Sequence, residues 1–183
     1  MSKLTPLKIE GAWLFESPVY QDSRGYFQEW FRLADLEKIS ERSFPVVQAN
    51  LSRSMRGVVR GIHFSTAPQG QAKWVTCVEG AIWDVVIDIR PESPTFKRWE
   101  AHEIKSGDGK AVMISEGLGH AFLALENNSV ISYLLTTPYS PIHEFAINPQ
   151  DKEIGIKWPI EKVIFSEKDQ QAPTLSEFWE SFQ

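Results

Sequence analysis

The feature that most constrains this chain is its rhythm. Short β-branched and aromatic runs recur at a spacing of roughly 8–12 residues, each closed by a turn signal. Val46–Arg53, Val58–Ser65, Lys73–Glu79, Ala81–Arg90, Trp99–Ile104, Ala111–Ile114, His120–Glu126 and Val130–Thr137 all read as strands. Pro68-Gln69-Gly70, the stretch from Pro91 to Pro94, Ser106-Gly107-Asp108-Gly109 and Asn127-Asn128-Ser129 separate them with residues suited to turns. Helical periodicity is weak and supports only a short helix over Leu33–Glu41 and a second over Ser176–Phe182. Many short strands with so little helix predict an all-β sandwich or barrel with a few short peripheral helices. With 183 residues and no repeat or linker, one domain over 1–183 is expected, large enough for a full core.

Composition excludes several classes of protein. Hydrophobic residues make up 42% and charged residues 23%, which is globular rather than disordered usage. No run of eighteen apolar residues exists, so no membrane helix is expected. Met1 to Pro6 lacks an apolar stretch before a small-residue cleavage site, so the expected location is the cytoplasm. The single cysteine, Cys77, allows neither an intrachain disulfide nor a cysteine-based metal site. A formal charge of -5 argues against nucleic-acid binding, so an anionic ligand must be met by a local group of Arg and Lys.

Ala81–Arg90 is the clearest strand. Its odd positions, Trp83, Val85, Ile87 and Ile89, form a dry face, while Asp84, Asp88 and Arg90 fall on the other. An acid as deep in an apolar segment as Asp84 suggests that its face lines a polar cavity. Gln48, Asn50 and Ser52 likewise share one face of their strand, and Arg60, His63 and Lys73 fall on the next two. So many polar groups at alternate positions are costly in a dry core and fit a lumen that holds a hydrogen-bonding ligand. Arg60 and His63 differ by an odd number, so they share a face only if Gly61 hosts a bulge. The four histidines, His63, His102, His120 and His143, include no pair at i, i+2 or i, i+4, which argues against a catalytic metal. His63 is then either an acid–base group or a satisfied core histidine. On residues alone, Asp22 to Glu29 reads as a turn leading into a strand of an exposed, salt-bridged hairpin. Tyr133 reads as a core tyrosine and Tyr139 as a loop aromatic covering the core.

Several segments, taken in order, resemble one family. They are Asp22-Ser23-Arg24-Gly25-Tyr26-Phe27-Gln28-Glu29, Gln48-Ala49-Asn50-Leu51-Ser52, Gly57-Val58-Val59-Arg60-Gly61-Ile62-His63-Phe64 and Gln71-Ala72-Lys73. Further on come Asp84 to Arg90 with Ser93-Pro94-Thr95-Phe96, then Glu116 to Phe122, Ser132-Tyr133, Tyr139 and Ser166-Glu167-Lys168-Asp169. From about Gly11 to Pro173 the chain is similar to the dTDP-4-dehydrorhamnose 3,5-epimerases, cupin-type jelly-rolls.

The resemblance implies a cofactor-independent inversion at carbons flanking the C4 ketone of a dTDP-4-keto-6-deoxyhexose. Such chemistry needs a base on one face, an acid on the other and a group that stabilises the enolate between them. His63 matches the base, Asp169 the carboxylate paired with it, Tyr133 the acid and Lys73 the cation near the C4 oxygen. Arg24, Arg60 and Lys168 match positions that hold the nucleotide and its pyrophosphate, a task suited to Arg and Lys. Glu29, Gln48 and Asn50 match polar contacts to the nucleotide, Tyr139 an aromatic that stacks on thymine, and His120 and Glu144 further pocket positions. The resemblance also implies a homodimer in which Arg24 and Glu29 come from the partner subunit.

Two departures bear on specificity. Gly119-His120-Ala121 replaces the Ala-His-Gly of many members, a variant similar to enzymes that invert C5 alone. The loop Ala67-Pro68-Gln69-Gly70 also differs. The alternatives to a 3,5-epimerase are therefore a single-centre epimerase and, in other classes, a non-catalytic sugar-nucleotide-binding cupin or a metal-dependent cupin oxygenase.

Overall fold

A computed structural model describes residues 2–40, 43–66 and 70–181. Thirteen strands are described. They are β1 (Lys3–Pro6), β2 (Ala12–Glu16), β3 (Val19–Asp22), β4 (Gly25–Gln28), β5 (Gln48–Ser54), β6 (Val59–Ser65) and β7 (Lys73–Glu79), followed by β8 (Ala81–Asp88), β9 (Trp99–Lys105), β10 (Lys110–Ile114), β11 (Leu118–Ala124), β12 (Ser129–Leu135) and β13 (Glu144–Ala146). Three short helices accompany them: α1 (Leu33–Ser40), α2 (Glu167–Gln170) and α3 (Leu175–Glu180). One sheet has the order β1-β2-β10-β7-β12-β5, a second has β13-β6-β11-β8-β9, and β3 and β4 form a separate hairpin. All the ladders within these sheets are antiparallel, as the expected jelly-roll requires.

Each strand divides its side chains by period two among three apolar clusters. Val75 and Cys77 of β7, Ile82 and Val86 of β8, Ile104, Val112, Phe122 and Ile131 fill the space between the two sheets. On the outside of the five-stranded sheet, Ile62, Phe64, Val85, Ile87 and Ala121 are covered by Ile147, Ile154, Leu175 and Phe178 from the C-terminal segment. On the outside of the six-stranded sheet, Trp74, Met113 and Leu134 are covered by Leu36 of α1 and by Phe44. Both outer faces are thus roofed, which is why aromatics are so frequent. Trp83 packs in the outer layer beside Trp99 and Trp158 and is only partly buried.

All eight strands read from the sequence occur, shifted by at most two residues at either end. Ala81–Arg90 ends at Asp88, where Arg90, Ser93 and Thr95 turn back onto the Asp88 carboxylate. Both of its faces are buried, so the even face is interior core at Ile82 and Val86 and polar at Asp84. The strands missed are short. β1 and β2 have four and five residues, and β1 ends on Pro6, which an edge strand tolerates. β3 and β13 escaped for the same reason. Both predicted helices form, α3 starting one residue early on its Thr174–Glu177 capping box. The ends expected at Glu41 and Phe182, and Ala67, Pro68 and Gln69 of the loop, lie outside the described residues.

Gly61 decides how β6 meets β11. His120 pairs with His63 and Phe122 with Arg60, so β6 carries one extra residue between those pairs. This is the bulge that the parity of Arg60 and His63 requires. Gly61 has φ +117°, and a Cβ there would lie 2.5 Å from the His120 carbonyl oxygen and 2.7 Å from Ala121 Cα, both backbone atoms. Gly61→Ala is therefore expected to cost at least about 2 kcal/mol, measured as a lower urea midpoint, because strain and overlap coincide.

Candidate active site

The two sheets part at one end of their shared interior to leave a cavity of about 250 Å³. β5 contributes Gln48, Asn50 and Ser52 from one face, β6 contributes Arg60 and His63, and β7 contributes Lys73. His120 on β11, Tyr133 on β12, Glu144 on β13, Tyr139 from the preceding loop and Lys168 on α2 complete its polar wall. Ten of the thirteen residues singled out in the sequence thus line one space.

Asp169 stands directly behind His63. Its Oδ1 lies 2.7 Å from His63 Nε2, with the His63 side chain 41% exposed and that of Asp169 only 4%. A hydrogen bond at Nε2 leaves Nδ1 as the ring nitrogen free to accept a proton. Burial acts to raise the Asp169 pKa. It is outweighed by the hydrogen bond and charge of His63, the Ser166 hydroxyl and the Gly61 backbone N–H, which together hold the carboxyl below its ordinary value. The short helix α2 positions this group: Ser166 caps it and accepts from the Asp169 backbone N–H at 3.1 Å. Sequence periodicity missed α2, although Ser166-x-x-Asp169 has the spacing of a helix start.

Lys73 is buried, and its Nζ reaches the His63 carbonyl oxygen at 3.5 Å. Burial lowers the pKa of its ammonium, and the charge of Glu144 partly opposes the shift. Gln71, not singled out individually in the sequence, donates to Glu144 Oε1 at 3.4 Å and to the Thr137 carbonyl at 3.3 Å. Gln48 donates to Asn50 Oδ1 at 3.0 Å and accepts the Tyr139 backbone N–H at 2.9 Å, which ties the aromatic loop to β5. Arg60 is held at the wall by the Ser54 hydroxyl and the Arg53 carbonyl. Phe122, Ile131, Leu135 and Phe145 supply apolar lining. Nothing in their alternation distinguishes them from ordinary core.

Arg24 and Glu29 lie outside this cavity. Arg24 sits at the turn of the β3–β4 hairpin, 87% exposed and paired with Asp22, and Glu29 pairs with Arg32. The exposed, salt-bridged hairpin is present as read. Among the described residues, no group of three or more His, Cys, Asp or Glu side chains is arranged to hold a metal ion.

Residues 6–177 match the family model described as dTDP-4-dehydrorhamnose 3,5-epimerase. The chain belongs to the dTDP-4-dehydrorhamnose 3,5-epimerase family. It is 48% identical over 172 residues to the dTDP-4-dehydrorhamnose 3,5-epimerase of Mycolicibacterium smegmatis, covering 93% of this chain and 85% of the relative. The crystal structure of NovW, a 4-keto-6-deoxy sugar epimerase from Streptomyces spheroides, superposes with a TM-score of 0.96 at 41% identity, covering 100% of this chain and 92% of that one. ChmJ, a 3'-monoepimerase from Streptomyces bikiniensis solved in complex with dTDP-quinovose, superposes with a TM-score of 0.93 at 42% identity, covering 97% and 90%.

Within this epimerase, Gly119 and Ala121 flank His120 on the outward face of β11. Ala121 packs in the outer cluster, and a Cβ on Gly119 would lie 2.7 Å from Ile62 Cγ2. The altered order around His120 thus answers to packing against Ile62 and not to the cavity. The Asp169 carboxylate, with its pKa below the unfolded value, contributes stability above the ordinary carboxylate pKa and loses it as pH falls through the folded value. Wild-type protein should therefore lose stability more steeply than Asp169→Asn as pH falls below the ordinary carboxylate range of about 4, read by urea unfolding.

Proposed function

We propose that this epimerase inverts both C3 and C5 of dTDP-4-keto-6-deoxy-D-glucose, giving dTDP-4-keto-L-rhamnose for dTDP-L-rhamnose biosynthesis. One observation carries the reading. His63 on the five-stranded sheet and Tyr133 on the six-stranded sheet line the same cavity from opposite walls. A sugar ring between them has a base on one face and an acid on the other, which inversion requires and simple proton exchange does not.

In this reading the C4 ketone acidifies the protons at C3 and C5. His63 removes one, and Asp169 orients the ring and stabilises the imidazolium. Charge then develops on the C4 oxygen, where Lys73 stabilises it from a site that excludes water. Tyr133 returns a proton to the opposite face. The chain uses no cofactor or metal in this scheme. Arg60 and Lys168 meet the pyrophosphate, Gln48 and Asn50 the nucleotide, Tyr139 stacks on thymine, and His120 and Glu144 border the sugar.

Arg24 and Glu29 fit this scheme as residues supplied to a partner's cavity within a homodimer. Support comes from the projecting hairpin, whose Tyr20 and Phe27 are 63% and 67% exposed, and from the open edge strand β5, where Leu51 is 72% exposed. A nucleotide-sugar substrate and a buried free cysteine are consistent with work in the cytoplasm. The second reading, inversion at a single centre, is favoured by the likeness to the monoepimerase ChmJ. Because Gly119 and Ala121, the two altered positions, face away from the cavity, the altered order does not support it.

Incubation with dTDP-4-keto-6-deoxy-D-glucose in heavy water should label C3 and C5 at comparable rates by NMR. Labelling of one carbon alone assigns a single-centre enzyme, and labelling of neither overturns the catalytic reading. His63→Asn should reduce turnover by about 10²-fold or more, as loss of a general base does. Tyr133→Phe should keep wash-out of substrate protons while product formation falls. Sedimentation should give the mass of two 20.9 kDa chains.

A further inference from the structure

The mechanism above leaves a second buried histidine–aspartate pair unused. His120 Nε2 lies 2.7 Å from Asp84 Oδ2, with side chains 10% and 0% exposed. His120 is the cross-strand partner of His63, so two such pairs stand side by side at the cavity wall, one backed by Asp169 and one by Asp84.

The second pair does not end at Asp84. Its other oxygen, Oδ1, is buried and, among the described residues, has no hydrogen-bond partner. His102 on β9 is the direct cross-strand partner of Asp84, and its Nε2 is buried and, among the described residues, makes no hydrogen bond, only the ionic contact with Glu100. Both side chains face the sheet interior, since Ile82 and Ile104, two residues along on each strand, pack there. Directly opposed residues hold their Cβ atoms about 4.5–5.5 Å apart, close enough for one water to bridge their polar atoms. Buried polar atoms left alone are costly, and buried water normally satisfies them with about three hydrogen bonds. Beyond His102, Glu100 Oε1 comes within 3.3 Å of Nε2, and Glu100 Oε2 accepts the Lys8 backbone N–H at 2.8 Å. His102 and Glu100 are 24% and 21% exposed, so this end of the series meets solvent at β9, the edge of the sheet opposite β13 and the cavity.

We propose that His102, a bridging water, Asp84 and His120 form a proton relay, with Glu100 holding the His102 ring, that recharges the cavity while substrate fills its mouth. The proposal rests on the epimerase reading. Each inversion leaves one proton on His63 and removes one from Tyr133, and inversion of a second centre on the same bound sugar requires both to be reset. His102, whose side chain is 24% exposed, takes up a proton at Nδ1 and releases the one on Nε2 through the water to Asp84 Oδ1; Asp84 Oδ2 passes one to His120 Nε2, and His120 Nδ1 gives one to the Tyr133 phenolate in the same cavity. His63 releases its own proton to solvent on the Asp169 side, where Val58, Ile164 and Lys168 bound a second cleft. One proton enters and one leaves, so the charge balance is restored. The titratable groups nearest Asp84 in this scheme are His120 on β11 and His102 and Glu100 on β9, with His63 on β6 one strand further.

The test is the dependence of kcat on added imidazole, a small proton carrier, for the wild-type protein, Asp84→Asn and His102→Gln. Wild-type kcat should not respond. Both variants should lose about tenfold or more in kcat with KM within about twofold, and imidazole should restore much of the loss. A purely structural role would give a loss that imidazole does not relieve, and that result overturns the relay. So does a His102→Gln protein with wild-type kcat. If Asp84→Asn fails to fold, His102→Gln decides, because its side chain is 24% exposed and tolerates a polar replacement. Failure of wild-type protein to label either carbon in heavy water would overturn the epimerase reading instead, before any variant is compared.

Discussion

The contact between β6 and β11 at Gly61 is the constraint on which the cavity depends. The His120 carbonyl and Ala121 Cα occupy the space a side chain would need, and the extra residue there turns Arg60 and His63 to one side. Without that bulge, strict alternation sends one of the two into the outer apolar layer, where Ile62 and Phe64 belong. The same approach brings His63 beside His120 and lets the Gly61 N–H reach Asp169. A single glycine thus aligns the proposed base, its carboxylate and the arginine proposed to meet the pyrophosphate.

The interior between the sheets is one space with two chemistries. Toward one end it is filled by Val75, Ile82, Val86, Ile104 and Val112, and toward the other it opens among Gln48, Asn50, Arg60, His63 and Lys73. The polar half is tolerable because its groups are tethered: Gln48 to Asn50 and the Tyr139 backbone, Arg60 to Ser54, Gln71 to Glu144 and His120 to Asp84. Such prior bonding also keeps donors oriented before a ligand arrives, which is what electrostatic stabilisation of a developing oxyanion requires. In a protein of net charge -5, Arg60, Lys73 and Lys168 converge on this cavity and suit it to an anion, while acids such as Asp22, Glu79 and Glu153 pair at the surface.

Much of this was legible in the residues. Period two placed Gln48, Asn50 and Ser52 on one face of β5, and turn residues marked most strand ends. Other features were hidden for physical reasons. Three- to five-residue strands such as β1, β2 and β13 are too short to show alternation, and they exist because a neighbouring strand supplies hydrogen bonds. Apart from Leu175 and Phe178 of α3, the outer roof over Val85, Ile87 and Phe64 comes from stretches with little regular structure, such as those of Ile147 and Ile154, so no periodicity announced that part of it. The bond between His63 and Asp169 spans 106 residues, and nothing local to either marks the other.

By itself the sequence determined the class of fold and which side chains are polar at inward-facing positions, since both follow from short-range alternation and turn chemistry. It also carried the family motifs and, through Gly61, the possibility of a bulge. Only the tertiary structure decided which of those groups meet. It set Tyr133 on the wall opposite His63, turned Gly119 and Ala121 outward, joined Asp84 to His120, and left Arg24 and Glu29 on a hairpin away from this chain's own cavity. Those outcomes depend on sheet order and register between distant strands, which are fixed by the packing of two whole sheets and not by any local stretch of chain.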